Sequence, residues 1–161
     1  TFLEKHVQAH SNDIPSAMLL AERQIGKDRA AAIKTYEQVL TKTPDNFVVL
    51  NNLAYLAFED KNLTRAEELA KKAVSLQREN ADAVDTLAQI YVAKGDKAAA
   101  LKLYEEVSAR PIANDDVYLN HVSVLLELDK KALASRKLAS REFKSEAAKQ
   151  RAESLKQQYG L

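Results

Sequence analysis

The stretch that decides the fold is Phe47–Asn80, FVVLNNLAYLAFEDKNLTRAEELAKKAVSLQREN, read against the one that follows it, Ala81–Asn114, ADAVDTLAQIYVAKGDKAAALKLYEEVSARPIAN. Placed one beneath the other they align Leu50 with Val84, Leu53 with Leu87, Ala54 with Ala88 and Ala66 with Ala100, a register of 34 residues. A fixed period of that length, with large and small apolar residues in step, marks an array of helical hairpins. A single hairpin cannot bury its apolar stripe, so stacking supplies the core, and such an array is suited to holding another polypeptide.

Within the second stretch, Val84, Leu87, Ala88 and Tyr91 form one stripe on a helix from Ala81 to Lys94, which Gly95 and Asp96 stop. A second helix, Lys97 to Ala109, offers Ala100, Leu103, Tyr104 and Val107 to the first, and Pro111 closes the unit. The first stretch repeats this with Leu50, Leu53, Ala54, Ala57, Ala66, Ala70 and Ala73, with Asn62 standing for the turn glycine and Arg78 for the closing proline.

Working outward, residues 14–46 fit the same pattern through Leu20, Ala21, Ala32, Tyr36, Val39 and Pro44, if the turn at Gly26 is one residue shorter. Gln24 replaces the first-helix aromatic there, so that helix should pack less tightly. Residues 115–141 continue it in degenerate form with Tyr118, Val122, Leu125, Ala134 and Leu138, and His121 takes a leucine's place. Residues 1–10 read as the second helix of a repeat whose first half is missing, with Phe2, Leu3 and Val7 available for packing or self-association. Phe143, Ala147, Ala148, Ala152, Leu155 and Tyr159 make one stripe over 143–159, the pattern of a capping helix and a natural end to the array. Thr1 falls inside a helical pattern, so the chain reads as a fragment of a longer protein.

Composition agrees. With 46% apolar and 29% charged residues the chain should fold, and five of its six Gly and Pro lie where the periodic pattern breaks. No alternating strand pattern occurs. The absence of cysteine excludes disulfides, thiolate zinc sites and cysteine nucleophiles. No run of 18 apolar residues is present to span a bilayer. The net charge of +1 is uneven: Lys130–Leu161 holds nine Lys/Arg against three Asp/Glu, or +6, which leaves −5 for the rest. That basic segment reads as a solvated cap, with polyanion binding as an alternative. Nucleic acid is disfavoured because Phe143 and Tyr159 belong to the apolar stripe and leave the charged face without stacking rings.

The places that carry the period, Val84 fourth, Leu87-Ala88 seventh and eighth, Tyr91 eleventh, Gly95 fifteenth, Ala100 twentieth and Tyr104 twenty-fourth, resemble the tetratricopeptide repeat. The resemblance implies an all-α, right-handed solenoid forming a single domain over residues 1–161. It also implies a concave groove lined by places two, five, nine and twelve of the first helices. These are Val48, Asn51, Tyr55 and Phe58 from residues 47–80, Asp82, Asp85, Gln89 and Val92 from 81–114, and Asp116, Leu119 and Ser123 from 115–141, with Met18 and Glu22 from 14–46. Asn51 and Gln89 could fasten a peptide backbone, Tyr55 and Phe58 offer rigid contact area, and the aspartates would favour a basic or polar segment. Asp82 and Thr86 stand where a carboxylate clamp would need Lys and Arg, so binding of heat-shock-chaperone tails is not expected.

Other chemistry is thinly represented. His6 and His10, four apart, project from the same side of a helix with Asp13 nearby, but three rigid protein ligands for zinc are not evident, and no metal or cofactor is expected. His121 reads as a buried, hydrogen-bonded imidazole. No nucleophile elbow or glycine-rich phosphate loop occurs, so the chain is read as non-catalytic. The function implied is a scaffold for a protein or peptide partner, with self-assembly as an alternative. His10-Ser11-Asn12-Asp13, Leu50–Tyr55, Asp85–Ala88 and the closing basic helix also resemble the carboxy-terminal part of bacterial PEP-CTERM-system TPR lipoproteins. That resemblance implies a role in exopolysaccharide export or protein sorting, with a periplasmic or outer-membrane-associated location favoured and a cytoplasmic one left open.

Overall fold

The computed structural model describes residues 1–161, which form ten α-helices and no strand. They are α1 (Phe2–Ala9), α2 (Ile14–Ile25), α3 (Arg29–Lys42), α4 (Phe47–Glu59), α5 (Leu63–Leu76), α6 (Ala81–Ala93), α7 (Lys97–Val107), α8 (Asp115–Glu127), α9 (Lys131–Ala139) and α10 (Glu146–Tyr159). None is long and apolar enough to cross a membrane. The helices group into two compact units, residues 1–77 and 78–161.

Helix starts follow from side chains that satisfy the otherwise unpaired first-turn N–H groups. Asp13, Asp28, Asn46 and Asn62 do this in the first unit, and Asn80, Asp96, Asn114 and Ser145 in the second. Lys130, ahead of α9, makes no side-chain cap. The hairpin turns repeat in φ as well as in sequence: Lys61, Gly95 and Asp129 have φ of 61°, 85° and 57°. The residue in the place of Gly95 is therefore Lys61, not Asn62, which caps α5 instead. At each such turn the next N–H reaches back five residues, from Asn62 to Ala57, Asp96 to Tyr91 and Lys130 to Leu125. The turn at Gly26 lacks the left-handed residue, and Asp28 N–H reaches only four back, to Gln24.

In the first unit α2 pairs with α3 and α4 with α5, and α3 packs on α4. Leu20, Ala21, Ala32, Tyr36 and Val39 fill one hairpin, and Leu50, Leu53, Ala54, Ala66, Leu69, Ala70 and Ala73 the other. Ala32 and Ala66 are completely buried, which lets the paired backbones approach closely. The Asn52 amide donates to the Tyr36 hydroxyl at 3.0 Å, giving that buried phenol a partner. α1 leans on α2 and buries none of its residues.

In the second unit α6 pairs with α7 and α8 with α9, α8 also packs on α6 and α7, and α10 lies on α8 and α9. Two expected boundaries move. α7 ends at Val107 rather than Ala109, because Pro111 disfavours helix in the residue before it and the turn is taken up at Ser108. The capping helix begins at Glu146 rather than Phe143. Arg141 bonds Asp115 and the Ile112 and Ala113 carbonyls, which ties the segment before α10 to the start of α8, and Ser145 then caps α10. Phe143 still contributes to the core, edge-on to Tyr118 with ring centroids 6.2 Å apart.

Candidate recognition surface

In the first unit, α2 and α4 carry Met18, Glu22, Val48, Asn51, Tyr55 and Phe58. Asn46, the cap of α4, places its amide 3.7 Å from the Met18 sulfur, which ties the start of α4 to the middle of α2. Val48, Asn51 and Tyr55 follow at spacings of three and four, one stripe on the helix surface. Val48 and Tyr55 are 43% and 48% exposed, whereas Phe58 is half-buried with the Lys61 ammonium 5.6 Å above its ring. The Asn51 Oδ1 is buried and accepts no hydrogen bond. An amide oxygen in that state is costly.

The corresponding surface of the second unit is spent on the protein itself. Asp85, expected to line a groove, is only 8% exposed. Its Oδ1 accepts the Tyr104 hydroxyl at 2.6 Å and the Asn120 amide at 2.9 Å, and its Oδ2 accepts the Gln89 amide at 2.6 Å and Asn120 again at 3.0 Å. Burial pushes the Asp85 carboxyl up and these donors oppose it. Burial, followed by the Asp85 charge, likewise raises the Tyr104 phenol. The Asn120 carbonyl is taken by Arg151 of α10, whose other amino group lies 3.5 Å from Asp116. Asp82 accepts the Asn114 amide at 2.9 Å.

Leu119, also expected in a groove, is fully buried, because α8 is packed by α6, α7, α9 and α10. Thr86, read with Asp82 as a groove residue, is buried too and donates to the Asp82 carbonyl. Ser123 turns its hydroxyl back to the Leu119 carbonyl at 2.9 Å. Val92 is half-buried, and Asp82 and Asp116 remain at the surface. The 34-residue register sets Asp85 beneath Asn51 and so assigns both the same face. The residue that claims Asp85, Asn120, arrives from the next hairpin, 35 positions on.

His121 is buried and stacks on Tyr104 with centroids 5.2 Å apart and planes 9° from parallel. Its Nδ1 lies 3.2 Å from the Ser108 hydroxyl. Burial, then the Lys137 charge, holds its pKa down to about 4, so it is neutral in the fold. At the other end His6 Nε2 meets Asp13 Oδ2 at 2.9 Å and its ring stacks on His10 at 4.5 Å. Bonds from Ser16 and then His6 pull the Asp13 carboxyl down to about 2. No three His, Asp or Glu side chains converge as a metal site. A cleft of about 640 Å³ lies among α1, α2 and α3, floored by Ile14, Ala17 and Leu20 and rimmed by Gln8, Gln24 and Lys34.

Residues 57–119 match the tetratricopeptide repeat family model. No curated protein matches the chain by sequence. Similar solved structures include MamA, at a TM-score of 0.74 and 15% identity over 96% of this chain and 87% of that one. The pilF protein of Pseudomonas aeruginosa follows the fold at a TM-score of 0.76 and 18% identity, over 98% and 82% of the two chains. The first TPR of Spaghetti, bound to the HSP90 peptide SRMEEVD, matches at 0.67 and 22% identity, over 74% of this chain and 98% of that one. At these identities the likeness is one of fold. Residues 57–119 thus carry a tetratricopeptide repeat segment, within an all-helical chain that has the fold of TPR solenoids.

Proposed function

We propose that the chain is a non-catalytic scaffold that holds a segment of another protein against the α2–α4 face of its first unit. One contrast carries this reading. Val48 and Tyr55 are exposed on α4 and the buried side-chain oxygen of Asn51 between them has no partner, while on α6 Asp85, at the place of Asn51, is bonded to Gln89 and Asn120. Rigid aromatic area beside a buried, unmatched acceptor is the composition of a binding hot spot. Titration calorimetry against immobilised-array hits should show Tyr55→Ala weakening peptide binding about tenfold, ~1.4 kcal/mol. Gln89→Ala should leave it unchanged. Equal losses in both variants, or none in either, would refute the assignment to the first unit.

A bacterial envelope setting, periplasmic or outer-membrane-associated and linked to exopolysaccharide export or protein sorting, extends the proposal. Its support is the resemblance of His10–Asp13, Leu50–Tyr55 and the closing basic helix to PEP-CTERM-system lipoproteins. Fractionation of cells expressing the full-length protein checks it, and recovery in the cytosol alone overturns it. Self-assembly is a second reading, favoured by Phe2 at 87% exposure and the exposed Leu19. Light scattering should then find a concentration-dependent oligomer that Phe2→Ser weakens, and a strict monomer would exclude it.

A further inference from the structure

We propose that the solvent-facing side of α9 is a docking surface for an anionic lipid bilayer. Lys130 to Arg141 holds five Lys/Arg and no Asp or Glu. The fold divides the basic carboxy-terminal segment into two classes. On α10 itself the cations are already matched, Lys149 with Glu146 at 2.6 Å, Lys156 with Glu153 at 3.1 Å and Arg151 with Asp116 at 3.5 Å, and ahead of it Arg141 pairs with Asp115 at 2.5 Å.

On α9 no cation pairs with a carboxylate. Lys131 donates to the Tyr159 carbonyl at 3.0 Å, Arg136 reaches only the Ala132 carbonyl at 3.4 Å, and Lys137 lies 4.9 Å over the Tyr118 ring. Lys130 starts the helix without a side-chain cap, so the positive end of the helix dipole adds to the same field. Burial lowers the pKa of Lys137, and a phosphate would supply the missing counter-charge.

Leu133 distinguishes lipid from other polyanions. It is 42% exposed and sits three residues after Lys130 and three and four before Arg136 and Lys137, so these four side chains are neighbours on one helix surface. A leucine ringed by cations suits a bilayer interface, where cations meet headgroup phosphates and the apolar tip enters the acyl boundary. Nucleic acid would instead call for exposed rings. Here Tyr118 lies under Lys137 and Arg141, and Phe143 is buried.

The whole chain is sedimented with phosphatidylcholine vesicles, with or without phosphatidylglycerol, across a salt series. Association should require phosphatidylglycerol and fade as salt rises. Lys130→Ala with Arg136→Ala should weaken it roughly 25-fold, about fivefold for each charge. Leu133→Ser should weaken it several-fold, and Lys149→Ala with Lys156→Ala, which removes an equal charge from α10, should leave it unchanged. Circular dichroism checks that each variant stays helical. The proposal is overturned by absence of association at low salt, by equal association with pure phosphatidylcholine, or by the α10 double variant losing as much as the α9 one. Tighter binding to heparin or RNA than to vesicles, indifferent to Leu133→Ser, also overturns it in favour of another polyanion.

Discussion

Single residues divide into those whose role is written in their own place in the repeat and those whose role is set by a neighbour. His121 belongs to the first kind. A polar ring in a place reserved for leucine is either buried and bonded or destabilising, and it is buried and bonded, to Ser108 and against Tyr104. Asp85 belongs to the second kind, because its own place reads as groove and only Asn120, a hairpin away, makes it core. The buried carboxylate now depends on its donors. Tyr104→Phe removes the 2.6 Å donor to Oδ1 and should cost about 1–3 kcal/mol in urea unfolding. Gln89→Ala removes a donor that is half-exposed, where water can substitute, and should cost less. A larger effect for Gln89→Ala would mean that Asp85 is anchored from the surface side.

At the level of elements, the hairpins and their start and stop signals were legible because each depends on residues a few places apart. What escaped the pattern are the devices that reach between elements. Basic residues late in, or just after, a second helix grip the loop that precedes the hairpin: Lys42 bonds Ser11 and Asn12, Lys72 the Pro44 carbonyl and Asp45, Arg110 Glu79, and Arg141 the Ile112 and Ala113 carbonyls. Spacings of 28 to 31 residues separate most of these partners, and no local propensity encodes them. The turn residues show the complementary case, since a left-handed φ is a strictly local demand. Lys61 and Asp129 accept it at φ of 61° and 57°, a conformation in which a side chain costs about 1 kcal/mol that glycine avoids. Lys61→Gly should therefore raise stability by up to about 1 kcal/mol, and Asp129→Gly by less, because Asp tolerates this region better. Gly95→Ala should lower it by about 1–2 kcal/mol, although a Cβ there meets nothing within 4 Å. Thermal melts of the three variants test the set, and a stabilised Gly95→Ala would show that the turn does not enforce its φ.

Across the whole chain, the buried groups that titrate at acid pH lie in residues 78–161. His121 and Asp85 are buried there, whereas the buried polar groups of the first unit, Thr35 and the Tyr36 phenol, do not titrate at acid pH. The two groups act in opposite senses. With His121 at about 4 in the fold and near 6.5 unfolded, the unfolded chain binds more protons between those values. Stability is therefore lost as pH falls through that window, by up to about 3 kcal/mol. Asp85, raised in the fold, binds its proton more readily folded than unfolded, so acidification returns part of that loss as pH approaches its folded value from above. Acid sensitivity should accordingly begin in the second unit. Hydrogen exchange, corrected for intrinsic rates, should lose protection first in α6–α8 between pH 6.5 and about 4, with α2–α5 unaffected. His121→Leu supplies the residue usual at this place of the repeat and removes the titrating ring, so its stability should be flat over the same window. An unchanged acid slope in His121→Leu would show that some group other than this imidazole sets the pH dependence of the fold.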